Sequence, residues 1–228
     1  MDTISNVGSH IGSTYLRLRR GMAVIALLFP PILLIGGIVI FGRAPQTSMS
    51  AYYHTEMQDV FVGILCAIGA FLFLYKGFTW KEDIALNVAG VCAVGVALFA
   101  MDPKGDCAAT ASGFSIHGCF ATAFFLAISY VCVFLFSDGP SSGIPEKLRA
   151  RYVTIAKLCG TVMLVCIAAA LTYAFLLPSS ARTFVCGLNA IFWIEAFAVW
   201  AFSVFWLVKS LEYDHAISWL PWRRKAGT

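Results

Sequence analysis

Charge is what this 228-residue sequence has least of. Aspartate, glutamate, lysine and arginine together make up 12% of it, about half the share of a soluble domain. Hydrophobic residues make up 60%. A soluble core of this size cannot hide that much apolar surface, so the solvent must be lipid. Disordered, coiled-coil and disulfide-scaffold classes fall with the same figures. Other signals are missing too. No Cys-x-x-Cys occurs, which removes zinc ribbons and thioredoxin-like sites. No stretch alternates as a membrane β-strand must, and no internal repeat marks a duplicated transporter half.

What is present reads as an all-α, polytopic transmembrane bundle of six helices. A helix needs about 20 apolar residues to cross a bilayer. Six stretches qualify: Met22–Phe41, Val60–Tyr75, Ile84–Met101, Ile116–Phe136, Val153–Leu177 and Phe184–Val208. This divides the chain into an N-terminal segment (1–21), the membrane domain (22–209) and an interfacial tail (210–228).

Thirteen of the sixteen lysines and arginines fall on one side: Arg17, Arg19, Arg20, Lys76, Lys81, Lys147, Arg149, Arg151, Lys157, Lys209, Arg223, Arg224 and Lys225. Only Arg43, Lys104 and Arg182 fall on the other. Basic loops stay inside, so both termini are expected to be cytoplasmic. The formal net charge of +4 is then a matter of topology, and nucleic acid is not an expected partner. Trp219 and Trp222, beside Arg223–Lys225, suit a tail at the inner headgroup layer.

Pro30-Pro31 lies within the first span. Adjacent prolines remove backbone donors, so a kink is expected, with carbonyls left for neighbours to satisfy. Of the eight cysteines, Cys66, Cys92, Cys132, Cys159, Cys166 and Cys186 read as small apolar packing residues in or at the rim of spans. Cys107 and Cys119 both fall at the outer face, where an oxidising compartment permits a bridge; they are the disulfide candidate.

Polar side chains are costly in a bilayer and call for a role. They gather at the outer side. Thr55 and Gln58 have capping-box spacing, which starts the second helix near Thr55, and Asp59 then suits the positive helix end. Tyr52, Glu56, Asp59, Gly63, Cys66 and Ala70 share one stripe. Small residues mark helix–helix contacts, so this stripe is expected to face the bundle, with Phe61, Leu65 and Leu72 towards lipid. Asp102 ends the third span and His117 begins the fourth. Glu195 falls about eleven residues into the sixth, roughly 16 Å along it, near mid-membrane. Tyr52, Glu56, Asp59, Asp102, His117 and Glu195 are therefore the candidate ligand-binding residues, and Asp59 and Glu195 the candidate catalytic acids or bases. His54 and His117 with a carboxylate are the residue types of an open zinc site, although the ligands must converge from separate helices.

The run Ser50-Ala-Tyr-Tyr-His-Thr-x-x-Gln-Asp59-x-Phe-Val-Gly63, with Tyr75-Lys-Gly77, Ile116-His117 and Phe192-Trp-x-Glu195, resembles a group of small, uncharacterised six-span bacterial membrane proteins with a layout similar to the DRAM/Sfk-like families. This resemblance implies a bacterial inner membrane. Ser50-x-x-x-His54 followed by an aspartate also resembles the alkaline ceramidase and progestin/adiponectin receptor superfamily. That resemblance implies zinc on His54, with Ser50 and Asp59 near the metal-bound water, but the late His-x-x-x-His pair of that superfamily is absent and six spans stand in place of seven. Three functions are consistent with these residues. One is a protein that binds a lipid or small ligand in a polar pocket opening outward. The others are an intramembrane zinc-dependent lipid hydrolase and an oligomeric transporter or channel using Glu195.

Overall fold

A computed structural model describes residues 2–101, 115–139 and 143–218, with side chains described between 10 and 216. The regular structure among the described residues is all helical, with no strand. In chain order the helices are α1 (Asp2–Ile35), α2 (Gln58–Leu74), α3 (Trp80–Leu98), α4 (Ile116–Tyr130), α5 (Glu146–Leu171), α6 (Ser179–Gly187) and α7 (Ala190–Ser218). One π-helical turn extends each of α1, α4 and α5, over Gly36–Ile40, Val131–Leu135 and Thr172–Leu176.

Four helical stretches are long and apolar enough to cross a membrane: His10–Ile40, Ile116–Asp138, Glu146–Leu176 and Ala190–Ala216. Helix α2 is apolar but has only 17 residues. Helix α3 carries Lys81, Glu82 and Asp83 in its first turn. The outside of the bundle is apolar, with Leu28, Ile35, Val91, Phe134, Val165 and Phe197 all exposed. That surface belongs in lipid.

Each long helix packs on its neighbours in sequence, and α7 closes the ring by packing on both α5 and α1. Helices α7 and α1 run antiparallel. The Trp200 indole N–H donates to the Leu27 carbonyl at 3.1 Å, the Ser203 hydroxyl to the Ala23 carbonyl at 2.7 Å, and the Arg19 guanidinium to the Lys209 carbonyl at 2.8 Å. The first of these contacts has a specific cause. Pro31 lacks the N–H that would bond the carbonyl four residues earlier, and that carbonyl is Leu27's. Trp200 supplies the missing donor, so α1 stays helical through both prolines.

Helices α2 and α3 meet backbone to backbone. A Cβ on Gly69 would lie 2.8 Å from the Gly90 carbonyl oxygen, and one on Gly90 would lie 2.7 Å from that of Gly69. No other residue fits either position, which is how small residues bring membrane helices together.

Several expectations are corrected. Helix α2 faces the opposite way: Phe61, Leu65, Ile68 and Leu72 are buried, while Glu56, Asp59, Gly63 and Ala70 are exposed. The interior of a ring of helices is wide and is filled by large side chains, and only Gly69 makes the small-residue contact. Helix α2 begins at Gln58. Thr55 instead closes the preceding 3₁₀ turn, its hydroxyl donating to the Tyr52 carbonyl at 2.8 Å. Asp59 does occupy the first turn. Helices α1 and α7 are continuous through positions 21/22 and 209/210. The last expected span is divided, since Asn189, with φ of 50°, separates α6 from α7.

The pairing of Trp200 with the Pro31-freed carbonyl is testable by a double-mutant cycle. Trp200→Phe is expected to cost about 1–3 kcal/mol by leaving a carbonyl without a donor. In a Pro31→Ala background, where the introduced alanine supplies its own N–H, most of that cost is expected to vanish. Unfolding in detergent micelles reads both; equal costs in the two backgrounds would refute the pairing.

Candidate functional site

The segment between α1 and α2 folds back over one end of the ring. It contains a 3₁₀ turn, Ser50–His54, and buries Met49, Tyr52 and Met57. Its placement depends on glycine: a Cβ on Gly37 would lie 2.9 Å from the Tyr52 ring. Two bonds pin the segment to the first turns of α7. Phe192 N–H donates to the Thr47 carbonyl at 3.0 Å, and Met49 N–H donates to Oε2 of Glu195 at 2.6 Å.

This places Ser50 against two other polar groups. Its Oγ is 2.8 Å from Nε2 of His117 and 3.4 Å from Oε1 of Glu195. His117 is oriented from its other side, where Nδ1 is 2.8 Å from the Phe99 carbonyl oxygen. The carbonyl only accepts, so Nδ1 carries a proton, and in the neutral ring Nε2 is the acceptor for Ser50. Ser50 is 7% and His117 5% exposed, so water competes little with either bond.

Below this group lies a partly open cavity of about 70 Å³. Helices α1, α2, α3, α4 and α7 line it, with Phe61, Leu65, Ala93, Ala121, Phe124 and Val199 among the apolar walls. Ser50 and Glu195 are its polar side chains. One water needs roughly 10–15 Å³ of such space, so the cavity holds a few waters or the end of an apolar chain.

The structure thus brings together two of the expected site residues, His117 and Glu195, and adds Ser50. Buried Tyr52 packs nearby, its ring 6.1 Å from that of Phe192. Asp59 is exposed at the outer surface of α2 and does not join them. Asp102 lies outside the described residues. Glu56 is also exposed and pairs with Arg43, whose Nε is 3.0 Å from Oε2. Hydrogen bonds from that guanidinium lower the Glu56 carboxyl to about 2. A carboxyl lowered in this way favours folding at neutral pH and loses its contribution as acid approaches that value, but at an exposed pair the effect is small. Glu195 is the sixth residue of α7, about 8 Å from the helix start and not eleven residues in, because α7 begins only after Asn189.

The two histidines of the expected zinc set each hold a protein partner. Nε2 of His54 is 2.5 Å from the Met101 carbonyl oxygen, and both ring nitrogens of His117 are engaged. No three metal-ligating side chains converge among the described residues. The disulfide candidate is corrected as well. Cys119 is an exposed free thiol on α4 and Cys107 lies outside the described residues; among the described residues Cys186 is disulfide-bonded.

A second polar group, at the opposite end of the ring, went unread in the sequence. Arg19, Glu82, Lys209 and Glu212 are all buried to 1% exposure. Lys209 pairs with Glu82, whose other oxygen accepts from Phe78 N–H at 3.0 Å. Arg19 donates to the Tyr75 hydroxyl and lies 4.6–4.9 Å from the ring centres of Tyr15, Tyr75 and Tyr213. The signals were the cap at Thr79-x-x-Glu82, where Thr79 Oγ1 accepts from Glu82 N–H, and the i,i+3 spacing of Lys209 and Glu212 on one helix. Comparison with protein-family models, curated proteins and solved structures finds no match to this chain.

The buried pair gives a stability prediction. Lys209→Met or Glu82→Leu alone strands a buried charge and is expected to cost about 3–5 kcal/mol. The double substitution is expected to recover most of the loss. A double variant as unstable as the sum of the singles, measured by unfolding in micelles, would show that the charges are not coupled.

Proposed function

We propose that this is an integral membrane protein that binds the end of the apolar chain of a lipid or similar small amphiphile in the cavity beneath Ser50. On this reading the helices α1–α5 and α7 form six spans of a bacterial inner membrane. Both termini are cytoplasmic, and the cavity end faces outward, consistent with the thirteen basic residues on the other side. Membrane lipids are its partners.

One observation carries the reading: the cavity walls are apolar, while its polar side chains, Ser50 and Glu195, come from the two segments pinned together at Met49. An apolar chain gains by leaving water for such walls, and a polar group at its end finds hydrogen-bond partners at Ser50 and Glu195. A few polar groups in an apolar cleft is the usual makeup of a small-molecule site.

The test is saturable binding of a fluorescent single-chain amphiphile to protein in micelles. Ala121→Trp, which fills the cavity, is expected to weaken binding at least tenfold while the protein keeps a cooperative melt. Undiminished binding by a folded Ala121→Trp variant would place the amphiphile elsewhere and refute the reading.

A further inference from the structure

The hydroxyl of Ser50 has one proton and two neighbours able to take it. His117 is the nearer, at 2.8 Å against 3.4 Å for Glu195, and its Nε2 has a free lone pair because Nδ1 is committed to the Phe99 carbonyl. An alcohol bonded to an imidazole that a third group holds in one tautomer is the arrangement of an activated nucleophile. The same Oγ borders the cavity. An occupant's chain in the apolar part would place a carbonyl carbon at the polar end, beside Oγ.

We infer that Ser50 is the nucleophile, and His117 the general base, of an acyl-transfer site that cleaves esters of short acyl chains. The inference rests on the amphiphile-binding reading. The cavity volume of about 70 Å³ sets the chain length, since it holds a chain end and not a whole lipid tail.

The chemistry balances without redox change. Oγ of Ser50 bonds to the ester carbon as its proton passes to Nε2 of His117. The tetrahedral adduct collapses, its carbon–oxygen bond to the leaving alcohol breaks, and that alcohol takes the proton from His117. This leaves an ester on Ser50. Water then adds to the same carbon and gives a proton to His117, which returns it to Oγ as the carboxylic acid departs. Glu195 assists only as the neutral acid: its carboxylate would oppose the negative charge on the adduct, whereas its O–H donates to it. Met49 N–H holds the other oxygen of Glu195 in place for this.

The test uses the full-length protein in micelles and a short-chain alkyl fluorophosphonate, which a nucleophilic serine attacks at phosphorus with loss of fluoride. Intact and peptide mass spectrometry are expected to find one adduct, on Ser50. His117→Gln is expected to slow labelling by about 10²-fold or more, the usual contribution of a general base. Glu195→Gln, which keeps a neutral donor, is expected to retain more labelling than Glu195→Leu. Amphiphile binding is measured on the same samples. Wild-type protein that binds amphiphile but takes no label on Ser50 overturns the nucleophile and leaves the binding reading standing. So does labelling of Ser50 that is indifferent to His117→Gln. Protein that neither binds nor labels overturns both.

Discussion

The constraint on which the rest of the structure depends is that lipid offers a polar group no partner, so each must find one inside the protein. The bundle meets this demand locally. Two prolines in α1 would leave carbonyls facing lipid, and Trp200 reaches across from α7 to bond one of them. Ser203, on the same face of α7, bonds another α1 carbonyl a turn further along. The α1–α7 interface is thus held by side-chain donors to main-chain acceptors, with aromatic and small residues packed between.

The same constraint produces two different polar ends. At one, Arg19, Glu82, Lys209 and Glu212 are buried together, with Lys209 paired to Glu82 and tyrosines and Trp206 around them. Buried ion groups of this kind cost desolvation and contribute chiefly by fixing one arrangement. Here they lock the ends of α1, α3 and α7 together. At the other end Ser50 and Glu195 border a cavity, and their hydrogen bonds run to one another and to His117 and Met49. The first arrangement is suited to holding the ring closed and the second to receiving a molecule.

The helical membrane character was legible because it rests on composition and run length, which need no three-dimensional knowledge. His117 was legible as a costly polar residue at the start of an apolar run, and Glu195 as one deep inside a run. The face of α2 was not, because the rule that small residues mark contacts holds for a pair such as Gly69 and Gly90 and fails where a helix lines a wide interior. Asp59 was misplaced for the same reason. The depth of Glu195 depended on where its helix begins, and a single left-handed residue, Asn189, moved that start. Ser50 was read only through a resemblance, because a serine in a polar loop carries no signal until the loop is seen folded onto His117. Arg19 and Lys209 were counted as loop charges, since their burial follows from partners 56 to 190 residues away.

The account turns on the hydrogen-bonded state of His117, and side-chain nitrogen NMR of labelled histidine reads that state directly. The His117 signal is assigned by its loss in a His117→Gln variant. The predicted spectrum is a neutral imidazole with its proton on Nδ1 and an unprotonated Nε2, exchanging slowly with solvent. A proton on Nε2 in the neutral ring, or free exchange with water, would contradict the placement of His117 between Phe99 and Ser50 and the site built on it.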